Sequence, residues 1–193
     1  FTQLDLEMSF VKQEDIFELI DDLFTEIVEK CSDKKIKFPK PFPRLRYSEA
    51  MERFGTDKPD IRFGMELYDI SGTAAKTDFQ VFRSTVEGGG QVKGITLPGC
   101  ANFSRKEIDE LTEFAKTFGA RGLVTMAVNE DGVKSSIAKF LTEEQISEIV
   151  RTADAKVGDL LAIVADKPSV VANVLGRMRA ELGKKLGLVD RNE

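Results

Sequence analysis

Histidine is absent from this chain of 193 residues. That removes Ser-His-Asp and Cys-His nucleophilic catalysis and histidine-ligated metal chemistry together, and leaves carboxylates, lysines, arginines, amides and hydroxyls as the possible actors. Any catalysis would rest on positioning and charge. Cysteine is scarce: Cys31 and Cys100 stand alone, outside any CxxC spacing. They suggest neither a disulfide framework nor a zinc site, and two buried free thiols are expected. No stretch approaches the roughly 20 apolar residues of a membrane span, and no signal peptide is expected. With 41% hydrophobic and 32% charged residues, the composition is that of a soluble globular protein, for which a cytoplasmic setting is expected.

A net charge of -5 argues against a generally basic nucleic-acid coat, but the charge is uneven. Lys34, Lys35, Lys37, Lys40, Arg44 and Arg46 cluster in one connector. They form either a solvated basic loop or a patch facing phosphate.

The chain opens on "FTQLDLEMSFV", where Leu4, Leu6, Met8 and Phe10 alternate with Gln3, Asp5 and Glu7. A period of two predicts a strand with its polar groups on one face and core on the other. Same-face neighbours lie about 6.5 to 7 Å apart, where two carboxylates repel by roughly 2 kcal/mol at an effective dielectric near 20. Either open water screens that repulsion or a cation answers it. The polar face is then a solvent-facing surface, or the floor beneath a ligand in which an Asp meets an ammonium and its neighbour a metal. Phe1 poses the same choice between core and a base-stacking platform.

Further on, "QEDIFELIDDLFTEIVEKC" has the apolar spacing of an amphipathic helix. The three alternate prolines of "KFPKPFPRLRY" predict an extended connector. Ser48 is expected to cap a helix over "EAMERF" that Gly55 stops. "SGTAAKTD" reads as a linker, and "FQVFRSTV" and "QVKGITLP" as two strands joined by "EGGG". Ser104 with Glu107, and Thr142 with Gln145, are capping boxes for two helices. "GLVTMAV", "SSIAKF" and "DLLAIVA" read as strands, and "KPSVVANVLGRMRAELGKKLGL" as a final helix with Pro168 in its first turn. Hairpins mixed with helices predict an α+β module of about 115 to 120 residues. "GTDKPDIR" is a proline turn, or else Asp57, Lys58 and Arg62 border a pocket.

"FTQLDLEMSFV" resembles the second strand of motif 2 in bacterial-type aspartyl-tRNA synthetases of class II, and "SEAMERFGTDKPDIRFGMEL" resembles a later stretch of the same catalytic domain. From "VFRSTVEGGGQVKG" through "KLGLV" the chain looks like the GAD-type insertion domain of that family. The resemblance implies an α+β fold in which residues 1–72 are part of an antiparallel-sheet catalytic domain and residues 73–193 are the inserted domain. It implies that Phe1 stacks on the adenine of ATP, that Gln3 helps hold the nucleotide or the adenylate, that Asp5 faces the α-ammonium of L-aspartate, and that Glu7 belongs to the acidic floor. Asp57, Lys58 and Arg62 would border the pocket or the tRNA acceptor end. ATP as substrate, Mg²⁺, aspartate tRNA either alone or together with asparagine tRNA, and a homodimer without membrane association complete the implied picture. The motif 2 arginine, motif 1, motif 3 and the anticodon-binding barrel have no counterpart here, so the chain is expected to be an internal piece, inactive by itself. The contrasting reading is a non-catalytic tRNA-docking module like the related domain in tRNA-dependent amidotransferase B subunits. The acidic helices of the insertion argue against a tight phosphate-binding surface.

Overall fold

The unbroken apolar run of "DLLAIVA" becomes the central strand of a five-stranded antiparallel sheet. In this computed structural model, which describes residues 1–189, the chain divides into two compact units, residues 1–45 and 46–189. The last four residues of the segment expected to be an insertion lie outside the described residues.

In the smaller unit, the amphipathic spacing produces α1 (Gln13–Cys31), with Asp15 accepting from the Lys12 backbone N–H at 2.7 Å. The connector after it folds back onto this helix. Lys40 meets Asp22 at 2.6 Å, Arg44 meets Glu14 at 2.6 Å, and the Arg44 guanidinium lies 4.2 Å from the Phe17 ring centre. Two cations of the basic run are therefore spent on the acidic side of α1. No residue of α1 is buried, and Leu19, Phe24 and Ile27 stay exposed. Cys31, expected to be buried, is exposed because it ends a helix whose apolar stripe is uncovered.

The larger unit is α+β, as expected. Its elements are α2 (Tyr47–Phe54), β1 (Tyr68–Asp69), α3 (Ser71–Ala74), α4 (Gln80–Glu87), β2 (Gln91–Leu97), α5 (Arg105–Thr117), β3 (Val124–Asn129), β4 (Gly132–Lys134), α6 (Glu143–Thr152), β5 (Leu160–Asp166) and α7 (Pro168–Lys185). The sheet order is β1-β2-β5-β3-β4, with every pair antiparallel. Because β5 is central, both of its faces are covered: Leu160, Ala162 and Val164 join Ile95 and Leu97 under α5 and α7, while Leu161 and Ile163 join Val92, Met126 and Phe82 on the other face. Each fully buried side chain of this size contributes about 1.5 to 3 kcal/mol. Among the described residues, no helix is long and apolar enough to cross a membrane.

Both capping boxes form as expected, with Ser104 accepting from the Glu107 N–H and Thr142 from the Gln145 N–H. Four local expectations are corrected. "SGTAAKTD" is no linker: it forms α3, and Thr73, Ala74 and Thr77 are buried. "FQVFRSTV" is the helix α4, because Phe82 is its buried anchor while Val81 points outward, a split that helical but not strand geometry gives Phe79, Phe82 and Val86 against Val81. Its β-branched residues mislead, and "EGGG" is accordingly a helix-to-strand turn. "SSIAKF" ends in a 3₁₀ turn over Ala138–Phe140, while the short partner of β3 lies earlier, at β4. α2 begins at Tyr47 with no side-chain cap, so Ser48 is inside the helix, and Gly55 ends it in the left-handed region at φ 67°.

Candidate functional site

Two places carry the residues singled out from sequence, one in each unit. The first is the opening segment. Residues 1–8 form no strand, and Phe1, Leu4, Leu6, Met8 and Phe10 are exposed, which corrects the expectation of a strand with a core face. Alternation decides which side chains share a side, but a strand needs a ladder partner, and the described residues of this unit provide none. The shared side is nonetheless realised: the Gln3 Nε2 donates to Asp5 Oδ1 at 2.9 Å. Gln3, Asp5 and Glu7 are exposed, so water screens the two carboxylates.

The second place is a cleft of about 540 Å³ in the larger unit, between the loop that follows α2 and the outer side of α7. Its floor is set by backbone. A Cβ at Gly55 would stand 2.3 Å from the Ala172 carbonyl oxygen, and one at Gly176 would stand 2.6 Å from the Gly55 oxygen, so only paired glycines let the α2 terminus sit directly on α7. The loop is then tied down at both ends. Arg53 grips Glu66 with two hydrogen bonds of 2.8 and 2.6 Å and also reaches Glu49 at 2.7 Å. This holds the Glu66 carboxyl below its usual range and pushes the Arg53 guanidinium up.

Arg179, from α7, is the second tie. It is 1% exposed, and its Nη2 lies 2.8, 2.9 and 2.8 Å from the carbonyl oxygens of Asp60, Phe63 and Gly64. An NH₂ group has only two hydrogens, so at least one is shared between acceptors. The guanidinium also stands 4.8 Å from the Phe54 ring centre and 4.2 Å from that of Phe63. Burial lowers its pKa, and the nearby charges of Asp60 and Glu66 oppose that shift.

Of the residues expected to border a pocket, Lys58 and Arg62 line this cleft, while Asp57 is exposed and outside its lining. Arg62 is bound to Asp60 by contacts of 2.9 and 2.7 Å, which hold the Asp60 carboxyl below its ordinary range. Sequence reading missed Arg177, Arg179 and Lys184, which complete the lining. For Arg177 and Lys184 the signal was available: Asn173, Arg177, Ala180 and Lys184 fall at steps of four, three and four, one stripe of a helix, whereas Arg179 lies off that stripe. α7 is not among the acidic helices expected to argue against a phosphate-binding surface, since Glu181 is its one acid against Arg177, Arg179, Lys184 and Lys185.

Comparison with known proteins finds the GAD domain family over residues 82–175. The aspartate–tRNA(Asp/Asn) ligase of Symbiobacterium thermophilum is 52% identical over 189 residues, which cover 97% of this chain and 32% of that protein. Those of Caldanaerobacter subterraneus and Bacillus mycoides are 48% and 50% identical over 100% of this chain and 32% of their own lengths. The chain thus spans about a third of the length of the curated relatives it matches. Residues 82–175 thus match the GAD domain family, and the whole chain is similar to about a third of the length of the bacterial aspartate–tRNA(Asp/Asn) ligases.

Proposed function

We propose that the chain is a part of an aspartate–tRNA ligase and contributes to the pocket that activates aspartate. The observation that carries this reading is identity at about half of all positions with such ligases, extending through the opening segment as well as the GAD domain. In the reaction, the aspartate carboxylate attacks the α-phosphorus of ATP and pyrophosphate leaves. The 3′ end of tRNA then takes the aspartyl group and AMP leaves. The nucleophile is already an anion, so no histidine is needed, and alignment with charge neutralisation does the work.

In this reading Phe1 stacks on adenine, Gln3 holds the nucleotide, Asp5 faces the α-ammonium and Glu7 extends the acidic floor. The Gln3–Asp5 hydrogen bond supports it, because it puts both groups on one side, as a shared floor requires. With Asp5 turned to the ammonium, the neighbouring Glu7 carboxylate suits Mg²⁺, which binds one or two such groups together with substrate phosphates and keeps several waters. In this reading Mg²⁺ enters with the phosphates of ATP; among the described residues no cluster of three or more ligating side chains is placed to hold a metal. Residues 1–72 are assigned to the catalytic domain and 73–193 to the insertion, with residues 46–72 packed into the same compact unit as the GAD domain. The whole enzyme would be a cytoplasmic homodimer acting on aspartate tRNA and, as the relatives' names carry it, on asparagine tRNA. A free-standing tRNA-docking module accounts less well for identity across residues 1–81.

The test is aspartate-dependent exchange of pyrophosphate into ATP. A protein of the relatives' full length that contains this chain should catalyse it, and the 193 residues alone should not. A full-length protein that activates a different amino acid would overturn the reading.

A further inference from the structure

The cleft beside α7 carries positive charge that nothing in the larger unit neutralises. Its one carboxylate, Asp60, is engaged by Arg62. Lys58 and Lys184 are exposed and make no ion pair among the described residues. Arg177 has only neutral neighbours there, the Asn173 Oδ1 at 2.9 Å and the Phe118 ring centre at 4.7 Å. Of its five N–H donors, one is committed to Asn173. Three uncompensated cations thus converge on one concavity in a chain whose net charge is -5.

Their layout suits a polymer better than a single anion. Arg177 and Lys184 are seven residues apart on α7, nearly two turns, so they lie about 10 Å apart along one side of the helix. Lys58 stands across from them on the loop, which the glycine contact and Arg179 hold in place, so the array is preorganised. A single phosphate could not meet cations spread that far, whereas successive phosphates of a strand could.

We infer that this cleft binds the sugar–phosphate backbone of an RNA strand, with Lys58, Arg177 and Lys184 each meeting a phosphate. The choice of RNA among polyanions rests on the ligase reading; the preference for spaced phosphates rests on the cleft alone. The contacts position the RNA without reading its bases, because no base-edge recognition is needed for them.

The experiment measures binding of fluorescently labelled, unfractionated bacterial tRNA to the full chain by anisotropy at 50 and 200 mM salt. Three phosphate contacts predict about 20- to 40-fold weaker binding at the higher salt. The double variant Lys58→Glu with Lys184→Glu should bind at least tenfold more weakly at 50 mM, and its salt slope should fall by about two. The control Lys106→Glu with Lys134→Glu makes the same charge change at exposed sites elsewhere and should keep most of the affinity. Thermal melts establish that both variants fold. Absence of tRNA binding by the parent chain, or an equal loss in both double variants, would overturn the assignment. So would competition by poly-L-glutamate as effective per charge as RNA, which would point to an acidic protein partner. Pyrophosphate exchange uses no RNA, so failure of the ligase reading would register in that assay and failure of the cleft in this one.

Discussion

Replacing Arg179 by methionine keeps a long apolar stem between Phe54 and Phe63 but removes the donor that ties three loop carbonyls to α7. Two N–H hydrogens serve those oxygens, and hydrogen bonds from a charged donor are worth about 1.5 to 3 kcal/mol each, a gross loss of about 3 to 6 kcal/mol. Part of this is recovered, since the variant no longer buries a guanidinium, a group already weakly hydrated for a cation. The expected net cost is about 3 kcal/mol, a fall in melting temperature of roughly 6 to 12 °C for a unit of this size. Arg179→Ala should cost about 2 kcal/mol more, for the packing of its stem. Both tyrosines, Tyr47 and Tyr68, lie in the larger unit, so urea denaturation followed by tyrosine fluorescence reports on that unit alone. A methionine variant within about 0.5 kcal/mol of the parent, with unchanged denaturant dependence, would refute the view that Arg179 holds the loop.

Gly55→Ala should destabilise the larger unit by about 3 kcal/mol, combining a left-handed backbone with a clash against the Ala172 carbonyl; a melt within 2 °C of the parent would contradict that contact. Asp60 and Glu66 both have carboxyls held below their ordinary range, first by hydrogen bonds from Arg62 and Arg53 respectively. A depressed folded-state value contributes stability above the unfolded value, near pH 4, and loses it as pH falls through the folded value. Denaturation midpoints should therefore drop below about pH 4, and Asp60→Asn should flatten part of that drop. Cys31 should react with a thiol reagent at once in the native state, whereas Cys100, buried and with its thiol pushed up by that burial, should react only on unfolding. Equal rates would contradict the burial assigned to Cys100.

Local signals in the sequence were legible wherever the physics was local. The capping boxes at Ser104 and Thr142, the helix of residues 13–31 and the buried strand β5 are decided by neighbours a few residues apart. α4 was missed because Val81, Thr85 and Val86 favour strands intrinsically, and only the burial of Phe82 against the sheet decides for a helix. The opening segment alternates as a strand should, yet pairing is a property of a partner that alternation does not specify. Lys58 and Arg62 could be named from "GTDKPDIR". Their companions on α7 lie more than a hundred residues away and are brought to them by a glycine-on-glycine contact that no local pattern announces.

The most direct measurement of the central claim is the steady-state kinetics of aspartate activation in a full-length ligase carrying this chain, with and without Asp5→Ala. An ammonium contact at about 4 Å is worth roughly 4 kcal/mol before desolvation is subtracted. The variant should therefore lose about 100-fold in kcat/KM for aspartate while the KM for ATP changes little. Kinetics for aspartate within about twofold of the parent would remove Asp5 from the pocket, and with it the role given to the opening segment.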